Sequence, residues 1–155
     1  MMRLLTASLL VFFLAIPAAA QQGCAAPASG IQTSLLAAIN AERAAKKRKP
    51  LFLSAALTRA AQGHACDMAR RGYFDHRSPE GNRMTDRIEA TGYVACRSSE
   101  NIAKGQRSAT AVVAAWMDSR GHRRSILSNP VREVGFGMTG SGSSRLWVMV
   151  AARAC

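Results

Sequence analysis

Acidic residues are scarce in this sequence, in which nine Asp and Glu stand against twenty-one Lys and Arg and give a formal net charge of +12. A charge of this sign and size favours anionic partners such as wall polymers, lipid headgroups or nucleic acid. The sequence also lacks any basic motif interleaved with aromatic residues, which nucleic-acid-binding surfaces usually carry. Together with the export signal described next, this absence excludes nucleic acid and leaves anionic envelope surfaces as the charged partners that we expect.

Long apolar runs are absent except for one near the N-terminus, from Leu4 to Ile16. This run follows the basic start MMR and precedes the segment PAAA, which is the pattern of a secretory signal peptide with an Ala-x-Ala cleavage site. The run is too short for a membrane-spanning helix. We therefore predict a cleaved signal peptide over residues 1–20, a secreted or periplasmic location, and no transmembrane segment after cleavage.

Internal repeats and a second block of distinct composition are also absent. Residues 21–30 are rich in Ala, Gly and Pro, which predicts a flexible leader. The remaining residues, 31–155, are enough for one domain with its own hydrophobic core. We expect this domain to be a monomer.

Cysteine is infrequent, with four residues in the chain, and no Cys-x-x-Cys pair occurs, which argues against a metal site made of thiolates. An even number of cysteines in an exported chain predicts two disulfides, and four cysteines allow three pairings that the sequence cannot distinguish. Our preferred hypothesis joins Cys66 to Cys96 within the domain and Cys24 to Cys155 across its two ends.

Apolar spacing of three and four residues predicts helices, and strict alternation predicts strands. The helices are expected over residues 31–46, 54–72, 84–90 and 108–119, and the strands over residues 131–138 and 145–152. Gly135 and Gly137 in the first strand indicate a bulge or a close approach of another backbone. Helices followed by a hairpin indicate an α+β domain, with the helices packed on an antiparallel sheet.

Only three histidines are present. His64 lies on the apolar stripe of the second predicted helix, where a buried core histidine is commoner than a ligand. His76 lies among turn residues in YFDHRSPEG, and His122 follows the fourth predicted helix. Loop positions on a rigid scaffold commonly carry functional residues. Glu100, in the stretch SSENIAKG, is one of the few acids and stands in a strongly basic neighbourhood that we interpret as a loop.

Several motifs around these residues follow one another in a recognisable order. They are Phe74-x-His76-x-Ser78-Pro79-x-Gly81, Gly92-Tyr93, Glu100-Asn101-Ile102-Ala103, Trp116-Met117-x-Ser119-x-Gly121-His122-Arg123 and Val134-Gly135-x-Gly137. Together they resemble the bacterial, SCP-like branch of the CAP superfamily, named for cysteine-rich secretory proteins, antigen 5 and pathogenesis-related 1 proteins. The resemblance covers about residues 31–155.

The resemblance implies a three-layer α-β-α sandwich with a central antiparallel sheet. It also implies a cleft lined by two histidines and one or two glutamates, which in some members binds a divalent metal such as Zn²⁺. His76, Glu100 and His122 match these residues, and Ser119 stands where other members carry the second glutamate. Arg43 and Arg87, by contrast, are expected to hold carboxylates or carbonyls inside the fold.

Three interpretations of the His76, Glu100 and His122 set remain open. Two imidazoles and a carboxylate can give Zn²⁺ three ligands and leave a position for water, which could be used for hydrolysis. Alternatively, Glu100 accepts hydrogen bonds from the imidazoles, favours their protonated form and makes a cleft for a polar or anionic ligand. A buried network that only braces the fold is the third interpretation.

We therefore predict an exported CAP-domain protein whose His76, Glu100 and His122 cleft binds a small or polymeric ligand, with or without a divalent metal. Catalysis is not part of this prediction. One alternative is a metal-assisted hydrolase of peptides or cell-wall polymers, in which the same three residues would be the catalytic candidates. The other is a cationic module that binds anionic envelope surfaces. A serine hydrolase using Ser119 is disfavoured, because the sequence lacks a Gly-x-Ser-x-Gly motif.

Overall fold

A four-stranded sheet lies at the middle of the fold. We describe it from a computed structural model, in which Cys24 and residues 26–155 are described. The strands are β1 (Phe52–Leu53), β2 (Ala95–Lys104), β3 (Glu133–Thr139) and β4 (Leu146–Ala154). Their order across the sheet is β1-β3-β4-β2. Strand β4 is antiparallel to both of its neighbours, whereas the short β1 is parallel to β3, so the sheet is mixed but mostly antiparallel.

Helices cover both faces of this sheet. They are α1 (Ser29–Ala45), α2 (Ala55–Arg71), α3 (Met84–Glu89), α4 (Ala109–Asp118) and α5 (Arg120–Ile126). The side chains of β4 alternate between the two faces, as strand geometry requires. Trp147 and Met149 pack with residues of α1, α4 and α5, whereas Val148 and Val150 pack with residues of α2 and α3. The α+β class and the three-layer α-β-α sandwich are confirmed, and only the parallel edge strand β1 departs from the expected antiparallel sheet.

The predicted signal peptide, residues 1–20, and most of the predicted leader, residues 21–30, lie outside the described residues. The last two residues of that leader belong to α1, which begins at Ser29. Within the part of the chain that is described, no helix is long and apolar enough to cross a membrane.

Apolar periodicity located six elements to within a few residues: α1 to α4, β3 and β4. Strands β1 and β2 and helix α5 were missed. Strand β2 lies at the edge of the sheet, and its first half is polar and only partly buried, so its sequence lacks the expected alternation. Helix α5 buries only Ile126, so no apolar stripe marks it. The interpretation of SSENIAKG as a loop was therefore wrong, because Glu100 lies on β2, and His122 lies on α5 rather than in a loop.

Helix α2 lies directly on β3, and at two positions their backbones touch without an intervening side chain. A Cβ atom added at Gly135 would stand 2.0 Å from the Thr58 nitrogen, and one added at Gly137 would stand 2.3 Å from the Ala61 oxygen. The predicted close approach of another backbone at these glycines is confirmed. The helix ends as expected at Gly72, whose φ of 71° is in the left-handed region that glycine adopts freely.

Arg43 is fully buried in the last turn of α1 and joins three segments of the chain. Its Nε donates a hydrogen bond to the Lys49 oxygen at 2.7 Å. Its Nη1 donates to the Ile126 oxygen at 2.6 Å and to the Ser128 oxygen at 2.9 Å. The prediction that Arg43 holds carbonyl groups inside the fold is confirmed, and the bond to Ile126 fixes the end of α5.

All four cysteines form disulfides, as predicted, but the preferred pairing was wrong. Cys24 is bonded to Cys66, with Cα atoms 5.4 Å apart, and Cys96 is bonded to Cys155, with Cα atoms 4.8 Å apart. The reason is the sheet: β2 and β4 are antiparallel neighbours in which Ala95 stands opposite Ala154, and the register shifts at Cys96. Cys155 N donates to the Val94 oxygen at 3.0 Å, so Cys96 and Cys155 lie at the same end of the two strands. Because β2 was not predicted, no sequence signal indicated that Cys96 and Cys155 lie close together.

Candidate functional site

Glu100 lies on edge strand β2 with its side chain almost fully buried, at 3% exposure. It stands opposite Val150 in the sheet and therefore faces the layer formed by α2 and α3. Its Oε1 accepts a hydrogen bond from His76 Nδ1 at 2.8 Å, and its Oε2 accepts one from Arg87 Nη2 at 2.8 Å. Each carboxylate oxygen thus has its own donor, and the buried negative charge is balanced from two sides.

Arg87 connects α3 to this site. Besides its bond to Glu100, its Nη2 donates to the His76 oxygen at 3.0 Å, and its Nη1 donates to the Asn82 oxygen at 3.2 Å. The Arg87 Nε atom is buried and has no partner among the described residues. The prediction that Arg87 holds a carboxylate and carbonyls is confirmed, but its pairing with Glu100 in particular had no signal in the sequence.

His76 lies in the segment between α2 and α3, with 54% of its side chain exposed. The hydrogen bond to Glu100 raises the pKa of His76 above its usual value, and partial burial opposes this shift. The imidazole therefore has one nitrogen fixed by a buried carboxylate while much of the ring faces solvent. Such a group can present a positive charge and a hydrogen-bond donor to a ligand.

His64 lies beside the same carboxylate, 3.9 Å from Glu100 Oε1, with its side chain completely buried in α2. Its Nε2 donates to the Asp75 oxygen at 2.9 Å. Burial lowers the pKa of His64, and the charge of Glu100 offsets part of this effect. The expectation that His64 is a satisfied core histidine is confirmed, and the ring forms part of the wall behind Glu100.

His122 lies on the other side of the edge strand. Asn101 follows Glu100 along β2 and points to the opposite face, where its Nδ2 donates to the His122 oxygen at 3.1 Å. The half-buried ring of His122 lines a separate cavity of about 300 Å³ together with Phe74, Trp116 and Ser119. Burial lowers the pKa of His122, and the charge of His76 lowers it further, so the two imidazoles interact through their charges.

The structure thus brings His76 and Glu100 into direct contact and places His122 in a neighbouring cavity. Among Cys24 and residues 26–155, no three His, Cys, Asp or Glu side chains form a group that could hold a metal ion. Both oxygens of Glu100 are hydrogen-bonded, and one of them bonds the cationic Arg87. In this arrangement the three residues do not fit a three-ligand Zn²⁺ site, and metal binding by His76, His122 and Glu100 stays a prediction.

A cavity of about 590 Å³ opens in front of His76 and Glu100. We call it the His76 cleft, and its lining residues are Asp75, His76, Arg77, Arg83, Met84, Thr85 and Glu100. Glu100 is already paired with Arg87, and Asp75 adds one negative charge to the lining, whereas Arg77, Arg83 and a protonated His76 add three positive charges. The cleft is therefore suited to a polar ligand that carries a negative charge.

The contact between His76 and Glu100 can be measured by titrating the three histidines by NMR. In the native protein we expect the pKa of His76 to lie above that of a free imidazole, and those of His64 and His122 to lie below it. In a Glu100→Gln variant the pKa of His76 is expected to fall, because the neutral amide no longer stabilises the imidazolium. A Glu80→Gln variant removes a carboxylate that pairs with Arg71 instead, and should leave His76 unchanged. An unshifted His76 in Glu100→Gln would contradict the contact.

One protein family matches most of the chain. A sequence model of the Cysteine-rich secretory protein family, abbreviated CAP, matches residues 36–151. The chain is 37% identical over 115 residues to the uncharacterized protein YkwD of Bacillus subtilis, in an alignment that covers 74% of this chain and 45% of YkwD. The chain therefore spans less than half the length of this relative.

Solved structures share the fold. The chain superposes with a TM-score of 0.71 and 24% identity on an extracellular protein containing an SCP domain from Bacillus anthracis, covering 78% of this chain and 39% of that one. It superposes with a TM-score of 0.76 and 17% identity on an outer surface protein from Borrelia burgdorferi, covering 83% of this chain and 96% of that one. At these identities the likeness concerns the fold alone.

Proposed function

Because this chain belongs to the cysteine-rich secretory protein (CAP) family, we propose that it is an exported binding protein whose His76 cleft holds a polar ligand through an anionic group. Two disulfides support export, because such bonds persist in oxidising compartments. The fold shared with an extracellular protein of Bacillus anthracis is consistent with this location. The ligand is a small molecule or a unit of a polymer.

One observation carries the proposal: a half-exposed imidazole, His76, is bonded to a carboxylate, Glu100, that is itself buried. Glu100 keeps the imidazole oriented and favours its charged form, while Arg87 holds the carboxylate in place from behind. The exposed part of the ring can then donate to a carboxylate or another anionic group in the cleft. Arg77 and Arg83 line the same cavity and add positive charge at its walls.

The geometry does not favour a serine nucleophile. Ser119 and His122 line one cavity, but no hydrogen bond joins the Ser119 hydroxyl to the imidazole in the described part of the chain, so a serine nucleophile has no base. The metal-assisted hydrolase stays an alternative that depends on Zn²⁺ uptake. Calorimetric titration with Zn²⁺ tests it directly: an absence of heat, or equal heat in a His76→Ala/His122→Ala variant, would rule the metal site out.

Binding in the cleft is tested with N-acetylmuramic acid, a sugar that carries a carboxylate, and with neutral N-acetylglucosamine as its counterpart. The protein without residues 1–20 is titrated with each sugar and followed by amide NMR shifts. We expect shifts around His76 with the acidic sugar only. Affinity should fall as the pH rises through the raised pKa of His76, because the imidazole loses its positive charge.

Two variants make this test specific. A His76→Gln variant should lose the pH dependence and weaken binding about tenfold, which corresponds to about 1.4 kcal/mol. A Lys46→Gln variant removes one positive charge outside the cleft and should bind as the native protein does. Equal weakening by both variants, or shifts with the neutral sugar that match those with the acidic one, would contradict the proposal.

A further inference from the structure

A second cavity, of about 390 Å³, lies between α2, α3 and the segment that joins them. We call it the arginine groove, because four arginines line it: Arg59, Arg70, Arg71 and Arg87. Gly63 and Asp67 lie between these arginines on the α2 side. Arg87 also bonds Glu100, so the groove and the His76 cleft share one residue but are separate cavities.

The residues that α2 contributes are spaced so that they share one helix face. Arg59, Gly63 and Asp67 are four residues apart, and Arg70 and Arg71 follow after three and four more. From Arg59 to Arg70 the helix rises roughly 16 Å, at 1.5 Å per residue. The groove therefore has an arginine toward each end of this face, with Gly63 and the carboxylate of Asp67 between them.

Gly63 is exposed in the middle of α2, where glycine weakens a helix. Its small size is not required by packing, because a Cβ atom added there would meet nothing within 4 Å. Gly135 and Gly137 differ in this respect, since an added Cβ atom at either would strike the backbone of α2. The glycine thus leaves open space along the wall of the groove, which a ligand can occupy.

The four arginines are not equally available to a ligand. Arg71 pairs with both carboxylate oxygens of Glu80, and Arg87 pairs with Glu100. Arg59, by contrast, is exposed, and among the described residues it donates one hydrogen bond, from Nη2 to the Thr91 oxygen at 3.2 Å. Arg70 comes no nearer than 3.9 Å to Asp67, and 67% of its side chain is exposed. The arginines toward the two ends of the groove therefore keep most of their donors free for an anion.

From this arrangement we propose that the arginine groove binds an extended polyanion that carries carboxylate or phosphate groups. One anionic unit pairs with Arg59 and another pairs with Arg70, and the body of the chain lies over Gly63. Arginine suits this role because its planar guanidinium can make two parallel hydrogen bonds to a carboxylate or a phosphate. The separation of the two arginines selects an extended ligand with several charges over a single small anion.

The proposal is tested by calorimetric titration at low and physiological salt with three probes. Hexagalacturonate carries a carboxylate on every sugar, linear polyphosphate of similar length carries phosphate groups, and maltohexaose is the neutral sugar of similar length. We expect at least one of the two anions to bind, and the one that binds more tightly identifies carboxylate or phosphate as the preferred group. Maltohexaose should not bind. Failure of both anions to bind at millimolar concentration would overturn the proposal.

The decisive variant is Gly63→Gln, which adds bulk in the groove without changing the charge of the protein. Glutamine is a better helix former than glycine, so the variant should fold at least as well as the native protein. Binding of the anionic probe should weaken about tenfold or more, because the open space is filled. Unchanged affinity in a folded Gly63→Gln variant would overturn the proposal.

Charge variants complete the design. Arg59→Gln and Arg70→Gln should each weaken binding of the anionic probe about tenfold, the loss expected for one charge-assisted pair. Arg48→Gln removes an exposed charge outside the groove and should change affinity by less than about twofold. Equal weakening by all three would indicate general attraction to a basic surface and overturn the proposal. Binding of N-acetylmuramic acid at His76 is measured separately, so failure of one site does not decide the other.

Discussion

Replacing Gly135 or Gly137 by alanine is expected to lower the free energy of unfolding by about 3 kcal/mol or more, among the largest effects of any single methyl group in this chain. The added Cβ atom would lie 2.0 Å from the Thr58 nitrogen in one variant and 2.3 Å from the Ala61 oxygen in the other. Both obstacles are backbone atoms of a helix packed along its whole buried face, so no single side chain can move to relieve the clash. Urea denaturation followed by circular dichroism measures the loss.

Gly63→Ala is the matched control, because it adds the same methyl group on the exposed face of α2, the helix that Gly135 and Gly137 contact from β3. With nothing within 4 Å of the added atom, it should raise the free energy of unfolding by up to about 1 kcal/mol through helix propensity. A lower free energy of unfolding in Gly135→Ala and Gly137→Ala, together with a higher one in Gly63→Ala, would show that contact between α2 and β3, and not glycine content, sets the effect. Native-like stability of Gly135→Ala would mean that the two backbones do not touch.

Replacing Arg43 by methionine is expected to destabilise the protein by about 3 to 5 kcal/mol. Methionine can replace the aliphatic part of the arginine side chain but donates no hydrogen bonds, so the oxygens of Lys49, Ile126 and Ser128 lose the donors that the guanidinium supplies. Because Ile126 ends α5, the loss should also disturb the helix that carries His122. Urea denaturation gives the stability, and the NMR shifts of the His122 ring report on α5.

Two further variants make the Arg43 result specific. Arg43→Lys keeps the charge but has a single nitrogen, so it should recover only part of the lost stability. Arg48→Met makes the same kind of change at an exposed position nearby and should alter stability by less than about 0.5 kcal/mol. If Arg43→Met and Arg48→Met unfolded at the same urea concentration, the bonds of Arg43 would contribute nothing measurable to stability.

Elements that bury one clear face were predictable from their own residues. The stripe along α2 and its glycine end, the capped start of α4 at Ser108, and the two long strands β3 and β4 all have local signals. Strand β2 lacks such a signal, because at the edge of a sheet its polar residues have little apolar surface to cover. The disulfide pairing depended on β2 lying next to β4, and it was wrong for this reason.

In the candidate site, too, some features have a local sequence signal and others depend on tertiary contacts. Motif order singled out His76 and Glu100, and the structure brings them within 2.8 Å of each other. Nothing in the sequence marked Arg87 as the partner of Glu100, because the two residues lie on different elements that meet only when α3 packs against β2. His122 is reached through the next residue of the strand: consecutive residues face opposite sides, and Asn101, not Glu100, donates to the His122 oxygen.

By itself, therefore, the sequence determined the fold class, most helices, the choice of His76 and Glu100 as candidate residues and the need for two disulfides. These features depend on periodicity, residue type and motif order, which are properties of short segments. Only the tertiary structure decided which cysteines pair, which cation balances Glu100, and that an arginine groove lies between α2 and α3. Each of these depends on contacts between segments far apart in the chain, and such contacts are set by how the layers pack and not by any local pattern.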